Sequence, residues 1–122
     1  MTSAINRTRG ITLATNMTIA VTFFTRLRGL LGRRPEEFST GEGLWIFPSK
    51  GVHALGMRFA IDAVYLDRNY RVVHCECGLR PGRLGAVCKR AAGVLELPAG
   101  TVVSSQTQVG DLVVFGGAGE LR

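Results

Sequence analysis

Lysine is scarce in this chain: of 15 basic residues in 122, only Lys50 and Lys89 are lysines and the rest are arginines. The glycines of Gly116-Gly117-Ala118-Gly119 are followed by no Lys-Ser or Lys-Thr pair, so no phosphate loop is present. A Gly-x-Ser-x-Gly nucleophile elbow is also missing. Cysteine is limited to Cys75, Cys77 and Cys88, an odd number that argues against a disulfide framework. No long apolar run exists. The segment from Ile11 to Phe24 is broken by Thr12, Thr15, Asn16, Thr18 and Thr22, too short and too polar to span a bilayer. It runs into Arg26 and Arg28 with no small-residue cleavage site, so it does not read as a secretory leader. A reduced, cytoplasmic protein is the expectation.

What is present is enough for one apolar core. The chain is 46% hydrophobic, and at 122 residues it reads as a single domain over 1–122 with its compact core at about 11–115. Sixteen glycines signal many turns and short elements. Residues 1–8 are polar and are expected to fray. Ile11–Leu13 and Met17–Ala20 read as two short strands around a Thr15-Asn16 turn. Phe23, Phe24, Leu27, Leu30 and Leu31 recur at helical spacing behind Thr22 as N-cap, and Gly32 and Pro35 stop the helix, giving one short helix over about 22–32.

Further strands are expected at Leu44–Phe47, Ile61–Leu66, Arg71–Cys77, Val94–Leu97, Thr101–Val103 and Leu112–Phe115. Asp67–Tyr70 and Val109–Asp111 are expected as turns, and the tail from Gly116 as loose. Short strands at this spacing predict a mainly β fold, a small antiparallel sandwich or jelly-roll-like barrel.

Polar residues crowd beside one apolar run. His53, Met57, Arg58 and Asp62 stand at the edge of the Ile61–Leu66 strand. Asp62 alternates away from Ile61 and Ala63, and buried it would need a partner, for which Arg58 or His53 are available. The cluster reads as a polar ligand pocket, or as a clasp holding the chain to the sheet. Glu96, inside Val94-Leu95-Glu96-Leu97, could line the same pocket, and with Asp62 would allow acid/base hydrolysis.

His74, Cys75, Glu76, Cys77 and Cys88 offer zinc-ligand types. Structural zinc turns use Cys-x-x-Cys, however, so no metal is assigned and the thiols read as small buried side chains. The Arg26, Arg28, Arg33 and Arg34 patch has the footprint of phosphate binding. It lacks interleaved aromatics, since Phe23 and Phe24 belong to the buried helix face and Trp45 to a core-like run.

Thr22 to Arg33, Gly43 to Phe47, Val52 to Asp67, Val94 to Gly100 and Gly110-Asp111, in this order and spacing, resemble the prokaryotic family called domain of unknown function 192. The match covers roughly 11–115, and Arg-Leu-Arg-Gly-Leu-Leu-Gly-Arg with Gly-Met-Arg-Phe-x-Ile-Asp are its specific parts. The resemblance implies a compact, mainly β domain with one short helix and no established reaction or cofactor. It places the family's recurring polar positions on Arg28, His53, Met57, Asp62, Glu96 and Asp111. Ser49 stands where close relatives tend to carry Cys, which weakens thiol chemistry near residues 49–53.

Taken together, the sequence favours a non-enzymatic binding or accessory module. Its pocket is placed at His53, Met57, Arg58, Asp62 and Glu96, and its partner is an unspecified small molecule or protein, with no cofactor, no metal and no membrane span. A small hydrolase using Asp62 and Glu96, and a weak nucleic-acid module using Arg26–Arg34, are the alternatives.

Overall fold

The computed structural model describes residues 2–20, 38–52 and 57–117. The helix expected at 22–32, its arginines Arg26, Arg28, Arg33 and Arg34, and His53 lie outside the described residues. Among the described residues the strands are β1 (Thr2–Asn6), β2 (Ile11–Ala20), β3 (Glu42–Ile46), β4 (Ile61–Leu66), β5 (Val72–Leu79), β6 (Gly93–Pro98) and β7 (Val113–Gly117), with one short helix, α1 (Thr101–Ser105). They form one sheet in the order β5-β4-β6-β3-β2-β1-β7. Only β2 and β3 pair in parallel; every other strand pair is antiparallel.

The sheet curls until its two edges approach. Arg71 and Leu112 form an antiparallel bridge. Val72 N–H donates to Asp111 O, Gly110 N–H to Val72 O and Val113 N–H to Tyr70 O, at 2.8–2.9 Å. One end of the seam between β5 and β7 is thereby stitched, and the mainly β, half-barrel architecture follows.

The curl gives the sheet an inside and an outside, and the alternation of each strand sorts its residues between them. The inner cluster draws on all seven strands and α1, with Leu13, Trp45, Val64, Leu66, Leu95, Leu97, Val102 and Val113 among its members. The outer cluster holds Leu44, Ile46, Ile61, Ala63, Tyr65 and Val94, covered by Phe38, Val52 and Met57 from the connections. Both faces of β4 are therefore covered and all six of its residues are buried, which is why its sequence is an almost continuous apolar run. One end of the barrel is plugged by α1 through Val102. Towards the other, Trp45 packs against Phe115, Tyr70 and Phe47 with ring centroids 5.0, 6.1 and 6.0 Å away.

Several local expectations are corrected. The N-terminal residues do not fray, because β1 is paired on both sides, by β2 and β7, and Asn6 is fully buried. Ile11–Ala20 is one ten-residue strand, not two. Its alternation is broken by register shifts against β1, and the N–H groups of Thr15 and Asn16 both donate to Gly41 O, so bulges mimic a turn in the sequence. Thr101–Val103 is helical rather than extended. Gly116 and Gly117 extend β7 along β1. The 67–70 turn forms as expected, with Tyr70 in the left-handed conformation at φ 63°.

Candidate functional site

Asp62 is the second residue of β4 and points into the barrel, away from Ile61 and Ala63. It is completely buried. Among the described residues its partners are three backbone amides, and Arg58 is not one of them. Oδ1 accepts from Gly78 N at 2.8 Å; Oδ2 accepts from Val102 N at 2.8 Å and Gly100 N at 3.1 Å. Gly100 begins α1 without any side-chain cap of its own, so Asp62 caps the helix from a distant strand, where a carboxylate suits unpaired N–H groups. This remote cap explains why Thr101–Val103, β-prone in isolation, turns into a helix. The carboxylate ties β4 to the end of β5 and to α1.

Glu96 faces the other way. The register pairs Ala63 with Glu96 and Asp62 with Leu97, so Glu96 shares the outer face with Ala63 and Tyr65, and Asp62 the inner face with Val64 and Leu66. The two acids are not brought together, so the paired-carboxylate arrangement of the hydrolase alternative does not form. Met57 is buried in the outer cluster, on Glu96's side of the sheet. Arg58, next to it, is exposed.

A different polar group assembles around Glu96. Ala63 is flanked by Glu96 on one side and Glu76 on the other, and Tyr65 by Val94 and His74. On the outer face of β6-β4-β5 the rows are thus Glu96-Ala63-Glu76 and Val94-Tyr65-His74. The small Ala63 side chain, buried in the outer cluster, separates two carboxyl groups whose backbones stand about 10 Å apart at normal strand spacing. Glu76 Oε1 accepts from Ala86 N at 2.7 Å and lies 3.8 Å from His74 Nε2. The Tyr65 hydroxyl donates to Ala86 O at 2.7 Å and its ring meets the His74 ring edge-on at 4.9 Å. Burial, then the nearby Glu76, Cys88 and Glu96, hold the Tyr65 phenol far above its ordinary range. Burial alone lifts the Glu96 carboxyl to about 8, so it keeps its proton at neutral pH and can donate as well as accept.

Two buried side-chain atoms among the described residues lack any hydrogen-bond partner: Glu96 Oε1 and His74 Nε2. Both belong to these adjacent rows. His74 and Glu76 appear in the sequence only beside the cysteines, as zinc-ligand types, and Tyr65 only as a strand residue. Their i, i+2 spacing on paired strands is the signal that puts them on one face, but the pairing register needed to read it comes from the fold.

The cysteines separate. Cys75 packs against the inner cluster and Cys88 against the outer, and all three are free. Burial, then Cys77, Asp111 and Asp62, push the Cys75 thiol up to about 11, and the Cys77 thiol is raised as well. Among the described residues no three His, Cys, Asp or Glu side chains gather to hold a metal ion. None of the helices there is long and apolar enough to cross a membrane.

A second polar centre is structural. Asp111 is held by Asn6 Nδ2 at 2.9 Å, Arg9 Nε at 3.0 Å and Gln108 N at 3.0 Å. Burial works to raise its carboxyl; the Asn6, Arg9 and Gln108 hydrogen bonds and the Arg9 charge outweigh it and hold the carboxyl below its ordinary value. Asn6 also donates to Thr107 Oγ1 at 3.0 Å, locking β1 to the turn before β7.

The family model of the uncharacterised domain DUF192 matches residues 4–115. The chain belongs to the DUF192 family. A UPF0127 protein of Pyrococcus furiosus is 30% identical over 112 residues, covering 88% of this chain and 92% of the relative. A UPF0127 protein of Thermococcus sibiricus is likewise 30% identical over 112 residues, covering 88% and 70%. A crystal structure of a Novosphingobium aromaticivorans protein of unknown function superimposes with a TM-score of 0.77 at 18% identity, covering 93% of this chain and 82% of that one. That likeness is one of fold. The positions Asp62, Glu96 and Asp111, given by the resemblance as recurring, are the three buried acids of the described structure. Two are satisfied by internal hydrogen bonds, and Glu96 keeps an unpaired oxygen.

Proposed function

We propose that this DUF192 domain is a non-enzymatic binding module whose ligand is held by Glu96 and His74 of the outer face of β6-β4-β5. The observation that carries this reading is the pair of orphaned buried atoms, Glu96 Oε1 and His74 Nε2, in neighbouring rows of one sheet face. A buried polar atom without a partner costs about 1–3 kcal/mol, and two on one face are an expense that a bound partner offsets. The groups are a protonated Glu96, Glu76, His74 and the Tyr65 hydroxyl, with Met57 as the apolar flank. Such a set hydrogen-bonds a small molecule rich in hydroxyl or amino groups. Arg58 stands, exposed, in the segment leading into β4. Asp62 serves the site indirectly, by fixing the β4 and β5 backbones that carry it.

The test is a thermal-shift and calorimetric screen of monosaccharides, polyols and primary amines against the parent and Glu96→Leu. At least one of these classes is expected to raise the parent's Tm and to leave Glu96→Leu unmoved. Equal shifts in both proteins, or none in the parent, would remove this site.

A further inference from the structure

A second site of different chemistry opens beside Trp45. The end of β3, the 67–70 turn and the 89–92 segment enclose a cleft of about 610 Å³. That is the size of a pocket for one small organic ligand. Its apolar wall is aromatic. Phe47 stacks on Trp45 at 6.0 Å with the rings 16° apart, and Tyr70 closes the side at 6.1 Å. Phe47 and Tyr70 remain 42% and 43% exposed, though each packs one side against Trp45. Their free ring surfaces face outward from a rigid base, since Trp45 is itself buried against Phe115.

The rim is cationic. Lys50, Arg68, Lys89 and Arg90 line the cleft against a single acid, Asp67. Asp67 Oδ1 is already occupied by the N–H groups of Asn69 and Arg71 in its own turn. Among the described residues no carboxylate lies within ion-pair distance of any of the four cations. Lys50 Nζ donates to Lys89 O and Ala91 O at 2.8 and 2.9 Å, so the rim is braced before any ligand arrives. Both lysines of the chain stand in this one cleft.

Exposed aromatic faces beside a cationic rim recognise a flat ring that carries negative charge. We infer that the Trp45–Tyr70 cleft binds a nucleotide, its base stacked on Phe47 or Tyr70 and its phosphate held by Lys89, Arg90 and Arg68. An acidic peptide would use the cations and leave the rings idle; a neutral apolar ligand would do the reverse. This site is separate from the outer-face row around Ala63 and does not depend on it.

Trp45 is the sole tryptophan and lines the cleft, so its emission responds to a ligand seated there. Adenosine 5′-monophosphate, adenosine, inorganic phosphate and an eight-nucleotide oligoadenylate are titrated against the whole chain. The monophosphate is expected to change Trp45 emission saturably with a Kd below about 1 mM. A Lys89→Ala/Arg90→Ala variant, altered only at exposed positions, is expected to bind it at least about tenfold more weakly with its Tm and circular dichroism unchanged. Adenosine and phosphate alone are each expected to bind more weakly than the monophosphate. A tighter, steeply salt-dependent oligoadenylate complex would identify the nucleotide as part of a strand; equal or weaker binding would identify it as free. No saturable change up to about 10 mM overturns the proposal. So does unchanged affinity in the double variant, or phosphate binding as tightly as the monophosphate.

Discussion

Replacing Asp62 with alanine strands the amides of Gly78, Gly100 and Val102, which its two oxygens now satisfy. Asp62→Ala is expected to cost about 3–5 kcal/mol in urea unfolding, since several buried donors lose their partner at once. A loss below about 1 kcal/mol would mean that water or a shifted loop takes over the bonds. Glu96 works in the opposite sense. Its folded-state carboxyl lies near 8 against an ordinary 4.5, so between these values the folded protein holds a proton that the unfolded chain has lost. Stability is therefore expected to fall as pH rises from about 4.5 to about 8, by up to a few kcal/mol, and to be level above that. Glu96→Gln should flatten this limb, which equilibrium unfolding at pH 5 and pH 8 would reveal. Asp111, held below its ordinary value of 3.8, contributes stability that is complete above that value and is lost as pH falls through its lowered one. The two acids bound the pH optimum from opposite sides, and a Glu96→Gln protein that keeps the parent's alkaline slope would show that another group sets it. That Glu96 sits inside an apolar strand and Asp111 beside one was legible, but their burial and the face that Glu96 takes were not. One residue of register decides that, and register is set by pairing with strands distant in the chain.

At the scale of elements, strands with unbroken apolar patterns were legible, whereas β2 was read as two strands because its alternation breaks at its bulges. Ile61–Leu66 shows itself because both its faces are buried, and β1 hides behind polar side chains whose partners lie a hundred residues away. Asn6 reaches Thr107 and Asp111, contacts that no local pattern announces. Thr101–Val103 has the composition of a strand and becomes α1 because Asp62 supplies the N-terminal acceptor, a tertiary effect overriding local propensity. The β3–β6 contact has a similar hidden requirement. A Cβ on Gly93 would stand 2.4 Å from Trp45 Cη2 and 2.9 Å from Ile46 O. Gly93→Ala is expected to push the indole out of place and cost about 1–3 kcal/mol, with a shifted Trp45 emission maximum as its signature. An unshifted spectrum at parental stability would show that the ring has room to yield.

For the molecule as a whole, the decisive feature is the seam. A seven-stranded sheet that stayed flat would expose edges on β5 and β7, each open to pairing with another chain. Here the edges meet at Arg71 and Leu112, and the turn amides of Val72, Gly110 and Val113 are consumed across the gap. The seam lies beside Tyr70 and Phe115, whose rings stand 5.3 Å apart, and next to the Asn6–Asp111 network. Closure is thus coupled to the aromatic end of the barrel and to β1. If the barrel behaves as one cooperative unit, the amides of Val72, Gly110 and Val113 should exchange with solvent only through global unfolding, with exchange free energies equal to that from urea denaturation. Asn6→Ala should lower both values together, because Asn6 holds β1 to the turn that carries Gly110 and Asp111. Faster exchange at these three amides than at the β4 amides of Val64 and Tyr65 would reveal a barrel that opens along the β5–β7 seam while its β4–β6 core stays folded, and the edges would then be free to pair with another chain.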